Sequence, residues 1–282
     1  MFGHSKLSSL VLFKGCLILD ALNGEWRRFS MSFLQDIMRF STIKEDMNVI
    51  LQASLPPELS KPVELPGVAP CQAEDWLRTD DAYAQQMRYR IELLNEKPAD
   101  TLWMTKEAKP ATRELLTEAL GILPNLGFAP TTHGLCCPDG RVVPINRDDP
   151  LKTLGHLVQE DLCILQKQGD EHVLSAAVLC FPANWKLADK AGRPLSQIHD
   201  PVEEYDANVS RRVQRLFDGV RAGRPMWRHN RLRYAQADLH QPRRISAERN
   251  RPYIRSERQC ILRLPETNAV VFSIHTYVVL AV

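Results

Sequence analysis

The second half of the chain contains apolar runs with the length of β-strands, separated by turn-forming residues. Gly169 and Asp170 separate the first two runs and are typical of a tight hairpin, and residues 265–268 join the last two runs. The predicted strands cover residues 161–168, 172–182, 225–234, 253–264 and 269–280. The pattern therefore predicts five antiparallel strands.

Apolar residues at helical spacing predict helices between and before these strands. The predicted helices cover residues 75–94, 106–120, 149–157, 185–190 and 203–220. Two of them fall between the second and third strands, which is the chain order of a PAS-like domain. We therefore predict an α+β fold, a PAS-like antiparallel sheet with flanking helices, of the kind that commonly holds a ligand between sheet and helices.

The first part of the chain differs from the rest. We interpret residues 1–48 as an N-terminal extension, with disorder as one interpretation, and residues 49–282 as the folded domain. The segment 7–22 is the nearest to a membrane span, but Lys14 and Asp20 interrupt it. Because no uninterrupted apolar stretch of about 18 residues exists, we predict no membrane span.

The seven cysteines form an odd set without CxxC or zinc-ligand spacing. Cys163, Cys180 and Cys260 lie inside apolar strand-like runs, where a free thiol usually packs as a small hydrophobic group. The chain is therefore expected in a reducing compartment, and we assign it to the cytoplasm.

The basic residues are unevenly distributed, although 36 Lys and Arg against 34 Asp and Glu leave a net charge of only +2. Fourteen arginines and no lysine occur between Arg211 and Arg258. Arg224 and Arg228 flank Trp227, and other arginines flank Glu257 on the neighbouring predicted strand. Planar guanidinium groups in such numbers suit carboxylates or phosphates, while the ordinary interpretation is cross-strand Arg–Glu pairing on a solvated sheet face.

Histidines and paired acids provide further candidates. His199 precedes Pro201 at a predicted helix end and suits a metal ligand whose second ring nitrogen binds Asp200, although a lone histidine is more often structural. The next candidates are His229, His275 and, more weakly, His156. Of Glu160 and Asp161, one is a candidate buried proton carrier, with a cap or turn as the ordinary interpretation. No hydrolase, nucleotide-binding or iron–sulfur motif is present.

The chain resembles the haem-dependent oxidative N-demethylase alpha-subunit-like family in four segments: LVQEDLCIL, SAAVLCFPANWKLADKAGRPLSQIHDPV, GRPMWRHN and RSERQCILRLPETNAVVFSIHTYV. The resemblance runs in order from about Leu51 to Val279. It implies a PAS-like fold carrying haem b and its iron, and a monooxygenase that uses O2 to demethylate a small methylated amine with release of formaldehyde. It also implies a flavin and iron–sulfur partner that supplies the electrons.

By resemblance, His199 matches the expected axial ligand of the iron. Five further residues match positions in the pocket-forming strands: Arg224, Arg228, Asn230, Glu257 and Arg258. Their individual roles are our own inference, and we assign Arg224, Asn230 and Arg258 to haem binding. We expect Arg228 and Glu257 to steer protons or the substrate amine. The family pattern usually reads WRxNW, whereas Arg231 occupies the last position here, which leaves the substrate open.

Two other functions remain open. A haem-binding PAS-like sensor or carrier would use the same pocket without turnover. A protein without haem would use the arginine-rich strands to bind an anion or nucleic acid, although we do not expect nucleic acid as the main partner.

Overall fold

The structure is a computed structural model, and it describes residues 17–19, 26–28, 49–61, 67–198, 207–243 and 250–281. The chain divides into two compact units, Met1–Val49 and Ile50–Val282. In the first unit, strands β1 (Leu17–Leu19) and β2 (Trp26–Arg28) pair in antiparallel fashion. The boundary between residues 48 and 49 that we expect for the domain stays a prediction.

The second unit contains the described helices and the remaining strands. The helices are α1 (Tyr83–Glu96), α2 (Pro98–Thr101), α3 (Lys109–Ile122), α4 (Pro150–Leu157), α5 (Leu187–Lys190), α6 (Leu195–Ile198) and α7 (Ala207–Gly219), with 3-10 turns at Pro57–Leu59, Lys106–Ala108 and Leu123–Leu126. The strands are β3 (Ala69–Pro70), β4 (Leu102–Met104), β5 (Ala129–Thr131), β6 (Gly134–Cys136), β7 (Val142–Val143), β8 (Asp161–Gln168), β9 (Glu171–Val178), β10 (Met226–Tyr234), β11 (Tyr253–Arg263) and β12 (Val270–Leu280).

Within the described ranges, seven strands form one sheet in the order β3-β10-β11-β12-β8-β9-β4, and neighbouring strands are antiparallel. The five long strands are those that the apolar runs predict. The predicted α+β fold, an antiparallel sheet with flanking helices, is therefore confirmed. The short edge strands β3 and β4 and the small sheet β5-β6-β7 are not apparent from the sequence pattern.

The two predicted hairpins are present. Gln168 pairs with Glu171, so Gly169 and Asp170 form a two-residue turn in which Gly169 has a positive φ of 61°. In the turn between β11 and β12, Asn268 takes a positive φ of 57°. Asparagine tolerates this left-handed conformation better than most residues, which explains its place at the end of the turn.

The helix predicted from residue 75 begins only at Tyr83. Residues 75–82 form turns instead, because Asp80 accepts a hydrogen bond from the amide of Ala82 at 2.9 Å and Arg78 binds Asp75 at 2.9 Å. Asp and similar residues favour such local bonds over a continuing helix. This segment consequently crosses the sheet as an irregular strap.

The two faces of the sheet have different coverings. On one face, which we call the α7 face, Cys163, Ile261 and Val270 pack with Phe217 and Val220 at the end of α7. On the opposite face, side chains of β11 and β12 contact the strap of residues 75–80. Successive strand residues alternate between these faces, so the register assigns each side chain of β10, β11 and β12 to one of them.

Among the described residues, no helix combines the length and the apolar character that a membrane crossing requires.

Candidate functional site

Four polar residues form a ladder on the α7 face of strands β10 and β11. Arg228 is the Cα partner of Gln259, and Asn230 is the partner of Glu257. Cross-strand partners share a face. Glu257 and Gln259 lie four and two residues before Ile261 on β11, so both pairs are on the face where Ile261 belongs to the apolar core. The strand alternation therefore brings together a guanidinium, a carboxylate and two amides.

The Glu257 carboxylate is held by three donors. Its Oε2 accepts hydrogen bonds from Asn230 Nδ2 at 2.9 Å and Gln259 Nε2 at 3.1 Å, and its Oε1 accepts one from Arg255 Nε at 3.4 Å. Glu257 is only 8% exposed, and Arg255 is 2% exposed. The carboxylate is therefore fixed in position at the edge of the core, where its charge is screened little by water.

Among the residues that the structure describes, Arg228 has no such partner. It is half-buried, and within the described ranges no hydrogen bond or ion pair holds its guanidinium. Burial lowers the pKa of Arg228, and the nearby Glu257 opposes that effect. A half-buried guanidinium whose nitrogens still reach solvent can bind an anionic group that arrives from outside.

Apolar side chains continue the surface beside the ladder. Phe272 of β12 is the Cα partner of Ile261, which follows Gln259 by two residues on the same face. Six partly buried apolar residues pack on this core and leave part of their surface open: Trp103, Trp185, Ile198, Val213, Leu216 and Phe272. The α7 face thus combines a planar cation, a fixed carboxylate and an incompletely covered apolar surface.

A family model described as haem-dependent oxidative N-demethylase, alpha subunit-like, matches residues 67–281. The chain belongs to this family. The match includes strands β8 to β12 and the polar ladder, and it confirms the family that the sequence segments indicate. The family description indicates haem dependence, an oxidative N-demethylase and an alpha subunit that works with other components.

The expected axial ligand, His199, lies outside the described residues, so its assignment stays a prediction. It directly follows Ile198, the last residue of α6, and Ile198 packs on the core of the α7 face. The next described element is α7, which packs on the same core. The helices that precede and follow residues 199–206, α6 and α7, therefore both pack on the face that carries the polar ladder.

The other histidine candidates have different surroundings. His275 is buried and has both ring nitrogens bonded to carboxylates, with Nδ1 at 2.7 Å from Glu160 and Nε2 at 3.1 Å from Asp80. His229 stacks on Trp227 with 5.9 Å between ring centroids, on the face opposite Arg228. Burial lowers the pKa of His156, whose Nε2 has no partner among the described residues.

Arg258 and Arg224 lie outside the four-residue ladder. Arg258 lies on the opposite face, where Nη2 binds Asp75 at 2.7 Å and the guanidinium lies over Trp227 at 5.2 Å. Arg224 is exposed in the turn before β10, where its amide donates to the carbonyl of Arg221. The structure thus brings together Arg228, Asn230 and Glu257 of the predicted site residues.

The position that departs from the family pattern also lies away from the ladder. Arg231 is exposed on the face opposite Arg228, and its Nη1 donates to the carbonyl of Ser60 at 3.4 Å. A tryptophan at this position would follow Trp227 and His229 on that same face. The presence of Arg231 in place of tryptophan therefore changes strand β10 on the face opposite the α7 face.

A second polar cluster lies on the opposite face and joins three distant segments. His275 bridges Asp80 and Glu160, and Glu160 Oε1 also accepts the amide of Arg78 at 2.8 Å. Burial alone would lower the pKa of His275, but the two carboxylates raise it to about 9. The sequence singles out Glu160 as a candidate buried acid, but nothing in its spacing identifies His275 as the partner.

An open cleft of about 550 Å³ lies beside this cluster, lined in part by Arg78, Asp80 and Tyr277. Of the described residues, none that we expect to bind haem or substrate lines it. Asp161 is separate from the cleft and fully buried, with an ion pair of 2.7 Å to Arg90 and hydrogen bonds from the amides of Cys180 and Phe181. Its role is to satisfy buried polar groups at the start of β8.

Proposed function

We propose that this chain is the haem b-binding subunit of an oxidative N-demethylase, and that the α7 face of the sheet forms its pocket. The substrate class is a small methylated amine, oxidised with O2 to a demethylated amine and formaldehyde. A flavin and iron–sulfur partner supplies the electrons. The observation that carries the proposal is the half-buried guanidinium of Arg228, which has no partner among the described residues and lies on the same face as partly open apolar side chains, in a chain of this family.

The residues of the α7 face fit the requirements of haem. A porphyrin needs apolar surface, which Trp185, Leu216 and Phe272 offer, and its propionates need cations, which Arg228 offers. His199 would supply a ring nitrogen to the iron. When bound, haem supplies the oxidising chemistry, and the chain's own groups bind and orient what surrounds it.

Glu257 has the properties of a group that receives the amine. A methylated amine is protonated near neutral pH, and a carboxylate in a weakly screened position attracts its ammonium group. Asn230 and Gln259 fix Oε2 of this carboxylate, so Glu257 can hold the nitrogen in one place and accept its proton. Arg228 would lie against the anionic edge of the cofactor on the same face.

We also propose that the fold is PAS-like and that the protein is located in the cytoplasm. Numbered along the chain, the five long strands lie in the order 2-1-5-4-3 within the sheet, and α5, α6 and α7 fall between the second and third strands. This arrangement supports a PAS-like core with a pocket between sheet and helices.

One observation favours a second candidate, a haem-binding sensor or carrier without turnover. Glu257 already accepts hydrogen bonds from three side chains and is 8% exposed. A carboxylate satisfied to this degree also suits a structural role in which it holds β10 against β11.

The experiment is a haem titration of the full chain, followed by spectra of the ferric, dithionite-reduced and air-exposed forms. A stoichiometric Soret band and reduced iron that reacts with O2 support the proposal, and formaldehyde release from dimethylamine with an electron donor establishes the reaction. Haem binding with iron that does not react with O2 favours the sensor or carrier. A chain that binds no haem saturably contradicts both.

A further inference from the structure

Positive charge is concentrated in the part of the chain that contains helix α7 and strand β10. Residues 207–243 contain nine arginines and two aspartates, a net charge of +7, whereas the whole chain has a net charge of only +2. Both aspartates are bonded, Asp218 to Lys167 at 2.5 Å and Asp238 to the hydroxyl of Tyr89 at 3.0 Å. The acidic groups of this segment therefore do not neutralise its arginines.

Three exposed arginines form the surface that we call the α7 basic surface: Arg212, Arg215 and Arg221. Arg212 and Arg215 are three residues apart on α7, so they lie on the same side of the helix, and Arg221 follows the end of α7 by two residues. Within the part of the chain that the structure describes, no carboxylate pairs with any of the three. Their like charges repel one another, and an acidic partner would relieve that repulsion.

The other side of α7 faces the proposed pocket. Phe217 is 5% exposed and belongs to the core on the α7 face of the sheet, and Val213 and Leu216 are partly buried against the same core. The helix therefore separates its arginines from this core by its own width, roughly 10 Å. A protein docked on the outer side would lie close to haem in the proposed pocket, and electron transfer falls off steeply with distance.

Side-chain contacts hold α7 in place against the sheet. Arg263 of β11 donates to the carbonyls of Val220 at 2.8 Å and Phe217 at 2.6 Å, at the helix end where the last carbonyls lack partners within the helix. Gln214 Nε2 lies 2.7 Å from Nδ1 of His172 on β9. The backbone that carries the arginines is therefore fixed before a partner arrives, which lowers the cost of binding.

We propose that the α7 basic surface is the docking site for an acidic iron–sulfur protein that delivers electrons to this chain. The inference deepens the proposed function and rests on it, because an electron donor is needed only if the chain carries haem. Guanidinium groups bind carboxylates through two parallel hydrogen bonds, and complementary charge steers two proteins together. Electron-transfer complexes have small interfaces, so a few charged contacts are enough to orient them.

Two observations favour a protein over a nucleic acid as the partner. The family description indicates an alpha subunit, which works with other components. Phe217, the aromatic residue of α7, is buried, so it offers no ring on which a base could stack. We therefore expect the carboxylates of a protein to meet the three guanidinium groups.

The test measures the binding of a plant-type [2Fe–2S] ferredoxin, an acidic protein of the required class, to the full chain without haem. At about 20 mM salt, the variant R212E/R215E should bind at least about tenfold more weakly than the wild type. At about 300 mM salt, the two chains should differ by less than about twofold, because salt screens the charges. The matched control is R88E/K97E, which changes the net charge by the same amount at exposed residues in and directly after α1. It should retain binding within about threefold of the wild type at the lower salt concentration.

The haem-loaded chain provides a second readout. The reduced ferredoxin cluster gives up one electron and ferric haem accepts it, so stopped-flow absorbance at the Soret band follows the transfer. At about 20 mM salt, the second-order rate should fall about tenfold in R212E/R215E and stay within about threefold in R88E/K97E. The Soret band of the ferric protein should be the same in all three chains, because the substituted residues lie outside the proposed pocket.

Other results would overturn the inference. If the wild type binds no ferredoxin at low salt, or if both variants weaken binding equally, the α7 basic surface is not a docking site. Displacement of the ferredoxin by short duplex DNA that binds the same arginines more tightly would identify a nucleic-acid surface instead. A chain that binds ferredoxin through these arginines but binds no haem would contradict the proposed function and leave the docking surface intact.

Discussion

Asn230 and Glu257 bind each other through two hydrogen bonds across strands β10 and β11. Asn230 Nδ2 donates to Glu257 Oε2 at 2.9 Å, and Asn230 Oδ1 accepts from the backbone amide of Glu257 at 2.9 Å. One amide side chain therefore fixes both the strand register and the carboxylate at this point. The pair is the most constrained part of the polar ladder, and it determines where a negative charge faces the proposed pocket.

The first prediction concerns Asn230→Ala. The change removes both hydrogen bonds and leaves the Glu257 amide without its side-chain acceptor, so we expect a loss of roughly 1–3 kcal/mol in the free energy of unfolding. If Glu257 receives the amine, the apparent KM for the amine should rise more than kcat falls. Urea unfolding and steady-state kinetics measure the two effects. Arg233→Ala, an exposed change on the same strand, is the control, and equal effects of both variants would contradict the prediction.

The second prediction concerns His199→Ala. If this residue is the axial ligand, the variant should lose or shift the Soret band of the haem-loaded protein while its far-UV circular dichroism stays unchanged. Added imidazole should restore the band in part, because it can occupy the vacated position. His229→Ala is the matched control, since His229 lies on the face opposite the ladder. An unchanged spectrum in the His199 variant would show that another residue binds the iron.

The third prediction separates Arg228 from Arg258. Arg228 has no partner among the described residues, so Arg228→Ala should weaken haem binding about 10- to 100-fold with little loss of stability. Arg258 is 2% exposed and binds Asp75, whose side chain is 36% exposed and also binds Arg78, so Arg258→Ala should lower the free energy of unfolding by roughly 1–3 kcal/mol through the loss of these buried donor contacts. Haem titration and urea unfolding of each variant give the comparison. Weaker haem binding by the Arg258 variant at full stability would show that this residue also binds the cofactor.

The limits of sequence reasoning are visible in these same residues. The five strands are predictable because their apolar runs are long and their turns contain Gly169 and Asn268, which accept positive φ. Glu257 and Arg258 are adjacent in one strand, so their side chains must face opposite sides of the sheet. The sequence resemblance assigns both residues to one pocket, and the alternation along the strand separates them. His275 could not be paired with Glu160 from the sequence, because strand order and register place them together across a long separation. The 3-10 turns and short edge strands have too few residues to show periodicity.

The last prediction concerns the pH dependence that His275 gives to the fold. Its pKa is raised from 6.5 to about 9 because Glu160 and Asp80 outweigh the effect of burial. The charged imidazolium therefore stabilises the fold fully below about pH 6.5, and this stabilisation is lost as the pH rises through 9. A pKa change from 6.5 to about 9 corresponds to about 3 kcal/mol of stabilisation of the fold by the charged imidazolium.

The groups around this imidazole determine the design of the test. Asp80 and Glu160 bind it, and the Tyr277 ring lies beside it at a tilt of 39° with 4.6 Å between ring centroids. The backbone amide of Arg78 donates a hydrogen bond to Glu160. His275→Gln keeps hydrogen-bonding capacity without a titrating charge, so its free energy of unfolding should be lower than that of the wild type at pH 6 and should change less between pH 6.5 and 9. Urea unfolding at several pH values measures both chains. A wild-type curve that is flat over this range, or an equally steep curve in the variant, would show that another group controls the pH dependence of the stability.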